Sequence, residues 1–220
     1  MPRPLSRVRY GSLLSYTPHG GSATAHSSKT VCHTVKKDGY VPNEHGIQEG
    51  AIAFAVRRLT EAMEDFDGFE EFLGPDALLV PAPKSAVFDK DALWVPQRIC
   101  SELEHVNLGA ETRQLLVRHT AVPKSAWSKT SERTTVEEHI ASMRVDKQVM
   151  EPPAFITVVD DVITRGAMMV ATITLLREAY PKARIGGFAL VRFQCSWDFE
   201  RILDPHIGFV DFSPRGPRRS

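Results

Sequence analysis

The chain has 220 residues, 42% hydrophobic and 25% charged, with 27 basic residues balanced by 27 acidic ones. That length suits one domain with a sizeable core and leaves room for an appended lobe. Zero formal net charge gives no support to a global polyanion-binding role, and no apolar run is long enough to cross a membrane.

Residues 1–9 are basic and contain Pro2 and Pro4, a composition that suits an exposed arm. Residues 10–16 read as an edge strand, 17–28 as a Gly/Ser/His-rich loop, and 29–35 as the return strand of a hairpin. Residues 1–45 are therefore expected to form an N-terminal arm. His19, His26, His33 and His45 show no regular spacing and read as surface histidines before metal ligands. Cys32, Cys100 and Cys195 also lack ligand spacing, so they read as reduced thiols. The N-terminus carries no signal-peptide pattern, so the cytoplasm is the expected location.

Ile47, Ala51, Phe54, Ala55, Leu59, Ala62, Met63 and Phe66 recur at helical steps and predict an amphipathic helix over 46–66. The apolar run 77–80 is a short buried strand, and Pro81 and Pro83 force an abrupt exit from it. Lys84 and Ser85 then offer a positive charge and a hydroxyl; taken alone, they describe an ordinary surface turn. Val95, Ile99, Leu103 and Val106 predict the next helix. Residues 115–120 read as a strand leaving into a polar loop. That loop, 121–133, is long enough to be a lid, with Lys124, Lys129 and Arg133 as its cations. Trp127 either caps a flat ligand or packs on its own domain. A short helix is expected over 135–141.

The most informative stretch is Phe155-Ile156-Thr157-Val158-Val159-Asp160-Asp161-Val162-Ile163-Thr164-Arg165-Gly166-Ala167-Met168-Met169. Its continuous β-branched run reads as a strand buried on both faces, as in a parallel sheet. Two carboxylates and a turn containing Gly166 follow, and then a helix marked by Met169, Val170, Ile173, Leu176 and Tyr180. Backbone N–H groups in such a turn and at the helix start suit an anion. Asp160 and Asp161 lie just before it, where they can accept from ribose hydroxyls, hold Mg²⁺, or do both. Residues 183–191 form a further apolar strand, so 155–191 is a strand-helix-strand unit. Segments 197–199 and 207–210 suit a terminal element, an aromatic patch or a base contact, with Trp197 and Phe199 more consistent with core. Residues 213–220 read as a disordered basic tail.

The 155–169 stretch resembles the phosphoribosyl-pyrophosphate (PRPP) signature of type I phosphoribosyltransferases. Residues 115–133 extend the likeness to the ComF-like branch: a similar strand, a polar loop in which Lys124 stands for the family's glutamine, and Arg133 matching its arginine. The likeness spans roughly 77–192. It implies an α/β fold with a parallel sheet flanked by helices over 46–212, and a small variable hood built from the N-terminal segment. Asp160 and Asp161 would contact the ribose and Mg²⁺, while Val162, Ile163, Thr164, Arg165, Gly166, Ala167 and Met168 would wrap the 5′-phosphate. Lys84 and Ser85 would receive pyrophosphate, making Asp160, Asp161 and Lys84 the catalytic candidates. Arg165 and Met168 stand where the family usually has small hydroxyl residues. Without paired cysteines, the zinc-binding N-terminal segment of many ComF-like proteins is not expected.

The resemblance implies an Mg²⁺-dependent transferase acting on PRPP and an unidentified acceptor. The alternative is a non-enzymatic PRPP or nucleotide sensor on the same fold, since fold alone does not settle activity. A homodimer is compatible with either. The basic ends, Arg3, Arg7 and Arg9 with the last residues, give only weak support to nucleic-acid contact.

Overall fold

The computed structural model describes residues 1–86, 93–122, 134–146, 153–196 and 199–220. In chain order its elements are β1 (Arg7–Tyr16), α1 (Ala23–Lys36), β2 (Tyr40–Pro42), β3 (Gln48–Gly50), α2 (Ala51–Asp65), β4 (Leu78–Pro81), α3 (Val95–His105), β5 (Glu111–Thr112) and β6 (Leu116–Arg118). There follow α4 (Val136–Ala141), β7 (Met143–Val145), β8 (Phe155–Ile163), α5 (Ala167–Ala179), β9 (Arg184–Phe193), β10 (Leu203–Ser213) and β11 (Gly216–Arg219).

Seven strands form one sheet in the order β11-β10-β1-β9-β8-β4-β5. β1, β9, β8, β4 and β5 run parallel, and β10 and β11 close one side as an antiparallel pair. The fold is thus α/β with a mostly parallel central sheet. Val80 is in register with Val158, and Val158 with Gly187, so the apolar run of β8 lies inside the sheet.

Both sheet faces are covered, which is why β8 is apolar without alternation. On one face α5 and α4 pack Met169, Val170, Ile173, Leu176 and Ile140 against Val158 and Ala189. On the other, α2 and α3 pack Ile52, Leu59, Ile99 and Leu103 with Phe72, Val159 and Phe188. Such a fully buried aliphatic side chain contributes roughly 1.5–3 kcal/mol relative to exposure. α5 is buried nearly all round, from Met169 through Leu176. Its Thr172 and Thr174 hydroxyls donate back to the carbonyls of Met168 and Val170 at 2.9 and 2.7 Å. Gly187 allows this close packing, since a Cβ there would lie 2.2 Å from the Met169 sulfur.

Several sequence expectations are corrected. β1 is an interior strand, paired with β9 on one side and β10 on the other, not the edge strand of a hairpin. Residues 29–35 belong to α1, not to a return strand. Nor are residues 1–9 an arm: Leu5 N–H donates to Thr174 Oγ1 at 3.1 Å, and Arg7 begins β1. The basic tail pairs with β10 as β11, Val210 opposite Arg219. The helix expected over 46–66 is α2, one strand later in its start. β6 forms as expected but pairs with β7 in a separate two-stranded sheet. Among the described residues no helix is long and apolar enough to cross a membrane.

Candidate functional site

The order of the strands creates the site. From β4 the chain passes through α3 to β5, on one side of β4; from β8 it passes through α5 to β9, on the other side of β8. The strand order therefore reverses between β4 and β8, and a crevice opens outside their carboxyl ends, where open α/β sheets bind ligands. β4 pairing stops at Pro81 opposite Val159, with Ala82 N–H donating to the Val159 carbonyl at 2.8 Å. Asp160 and Asp161 lie immediately beyond that point.

A cleft of about 1040 Å³ runs over this crevice. It is lined by Lys84 and Ser85 from the β4 exit, by every residue from Asp160 to Met169, by Lys29, Cys32, His33 and Lys36 from α1, and by Lys37 just after it. The structure thus brings together all the candidates of the β4 and β8 loops. Lys124, Lys129 and Arg133, with Trp127 and Trp197, lie outside the described residues. Phe199 is buried.

The acidic pair is partly ordered by its own strand: Asp161 N–H donates to Asp160 Oδ1 at 2.9 Å and Val162 N–H to Asp161 Oδ1 at 2.8 Å. Burial, and then the neighbouring charge of Asp161, push the Asp160 carboxyl well above its ordinary pKa. A cation or hydroxyl donor in the cleft would reverse that penalty. Asp161 faces Lys36 of α1, with Nζ 3.8 Å from Oδ2.

The loop after β8 turns at Gly166, whose φ of +94° is the left-handed region open to glycine. A Cβ at this position would lie 2.6 Å from a methyl carbon of Val210 on β10. Gly166 is also the N-cap of α5, and no side chain caps that helix, so its first-turn donors face the cleft uncapped. Arg165 is exposed. The Met168 sulfur receives Arg118 Nη2 at 3.7 Å.

The β4 exit is pinned at several points. Trp94 Nε1 donates to the Ala82 carbonyl at 2.8 Å, Arg118 Nε to the Lys84 carbonyl at 2.6 Å, and Val122 N–H to the Ser85 carbonyl at 2.8 Å. The Lys84 ammonium lies 5.9 Å from the Trp94 ring centroid, within cation–π range. Lys84 is therefore held over the cleft with its backbone fixed beneath it.

Four residues with a part in this geometry were missed as site residues: Lys36, Trp94, Arg118 and His139, the last of which lines the cleft from α4. The signal for α1 lay in Ser22, which caps it by accepting from Ala25 N–H at 3.1 Å, and in the buried steps Ala25, Ser28, Cys32 and Val35. The other three act through tertiary contact and left no local pattern. No family model and no curated protein matches this chain.

Proposed function

We propose that the chain is a phosphoribosyltransferase of the type I, ComF-like kind, using PRPP and Mg²⁺ to transfer phosphoribose to an acceptor. One observation carries the reading. The acidic pair, the Gly166 turn and Lys84 lie at the carboxyl ends of adjacent parallel strands, at the reversal of strand order, and line one cleft. Asp160 and Asp161 accept from the ribose hydroxyls. Backbone donors of 164–168 and the start of α5 hold the 5′-phosphate. Lys84 and Ser85 hold the pyrophosphate.

In the reaction the C1–O bond to pyrophosphate breaks, its electron pair leaving with the pyrophosphate, and an acceptor nitrogen forms the new bond to C1. The acceptor's proton passes to solvent, because the candidate residues include no dedicated general base. The chain's contribution is orientation and electrostatics. Among the described residues no group of three His, Cys, Asp or Glu could hold a metal. Mg²⁺ commonly takes only one or two carboxylates plus substrate oxygens, and the Asp160–Asp161 pair fits that mode. Asp160 and Asp161 would hold the ion, which would supply charge neutralisation to the leaving pyrophosphate.

A second reading, a PRPP or nucleotide sensor on the same fold, is favoured by the turn of Met168 toward Arg118, where the family has a phosphate-binding hydroxyl. Calorimetric titration of PRPP with Mg²⁺ tests both. Saturable binding is expected in the wild type and is lost in the Asp160→Asn/Asp161→Asn double variant. Binding with no pyrophosphate release across a panel of bases would select the sensor. No binding at millimolar PRPP removes the transferase reading and the PRPP-sensor form of the second.

A further inference from the structure

Behind the two loops lies a charge to which no role has yet been given. Arg118, the last residue of β6, is 4% exposed. Its Nε donates to the Lys84 carbonyl at 2.6 Å and its Nη1 to Ser142 Oγ. Its Nη2 reaches Met143 Sδ at 3.4 Å, Met168 Sδ at 3.7 Å and His139 Nδ1 at 3.5 Å. Every one of these partners is neutral or soft. No carboxylate pairs with it among the described residues, and burial lowers its pKa to about 10, which still leaves it charged at neutral pH.

A buried guanidinium without a counter-charge opposes folding, and an apolar side chain of similar size would avoid that cost. The arrangement needs another rationale. Lys84, Met168 and His139, three of its neighbours, line the cleft. Its hydrogen bond to the Lys84 carbonyl and its contact with Met168 join the β4 exit to the first turn of α5. Low local dielectric lets a charge at that depth act on a cleft anion more strongly than a surface lysine does.

We infer that Arg118 is a positioning residue for anion binding, joining the Lys84 loop to the head of α5 and lending its buried charge to a diphosphate in the cleft. The inference rests on the reading of the Lys84 loop as the pyrophosphate-binding side. The diphosphate is the counter-charge that the described residues omit.

Calorimetry with inorganic pyrophosphate and Mg²⁺, and separately with PRPP and Mg²⁺, on the full chain is the test, with ligand-free thermal melts alongside. Arg118→Met is expected to melt at or above the wild-type temperature and to bind pyrophosphate about 10- to 100-fold more weakly, the loss typical of residues behind a binding shell. Arg118→Lys keeps the charge but loses the fork, and should fall between the two. A purely structural arginine would lower the melting temperature and leave affinity unchanged, and that result overturns the inference. If Arg118→Met does not fold, wild-type affinity in Arg118→Lys overturns it instead. Wild-type binding of pyrophosphate without PRPP sinks the transferase reading and leaves Arg118 in place. PRPP binding equal in wild type and Arg118→Met sinks Arg118 alone, and binding of neither ligand overturns both.

Discussion

His139 shows how far a single side chain's state is set by its neighbours. It is 2% exposed, on α4, beside the Arg118 guanidinium. Burial first, and then the Arg118 charge, lower its pKa from 6.5 to about 4. As pH falls, the unfolded chain takes a proton at this position before the folded one does. Its contribution is therefore complete above pH 6.5 and is lost as pH falls toward 4, by up to about 3 kcal/mol for this group alone. His139→Gln should flatten the acid limb of a plot of urea-unfolding free energy against pH over that window. Parallel wild-type and variant curves would show that His139 is not the group responsible. None of this was legible in the sequence, where His139 is one of 8 histidines. Its state follows first from burial and then from a contact with Arg118, 21 residues away.

Elements were legible where burial writes a repeating pattern. β8 and β9 carry long apolar runs because both faces of their sheet are covered, and α5 because it is buried nearly all round, so strand, turn and helix followed from residues 155–191 alone. α1 was illegible because its buried stripe, Ala25, Ser28, Cys32 and Val35, contains small and polar residues. Ser28 satisfies its own hydroxyl by donating to the Ala25 carbonyl at 2.8 Å, a bond that sequence does not announce. Ser22→Ala removes the N-cap of α1 and should cost about 1 kcal/mol in urea unfolding; a loss of less than a few tenths would mean that tertiary packing alone holds the helix. The turn before α5 is more sensitive. Gly166→Ala combines a left-handed φ of +94° with a Cβ 2.6 Å from Val210, and should cost about 1–3 kcal/mol. Because the strained residue lies in the cleft wall, PRPP affinity should fall even where circular dichroism reports a folded chain. Unchanged affinity and stability would mean that β10 yields to the methyl group without moving the loop.

At the scale of the molecule, the ends of the chain are where sequence and structure part. Local pattern suggested an arm, a central domain and a tail, because no window of sequence contains the pairing of residue 7 with residue 211. In the structure Arg7 is opposite Asp211 and Tyr16 is opposite Phe193, so β1 is the seam that joins the parallel strands to β10 and β11. It also brings Tyr10 into one core layer and Leu13 and Leu14 into the other. Removing such a strand leaves two unpaired ladders and opens both cores, since β9 and β10 are separated by its width. Deletion of residues 1–16 should therefore abolish cooperative thermal unfolding and PRPP binding together. Deletion of 214–220 removes only the edge strand β11, and should lower the melting temperature while leaving a single transition. The comparison is decisive because an arm and a disordered tail predict that neither deletion disturbs folding. If the chain lacking residues 1–16 melted cooperatively and still bound PRPP, β1 would be an addition to an independent domain, and the cleft would be complete without the strand that joins it to β10 and β11.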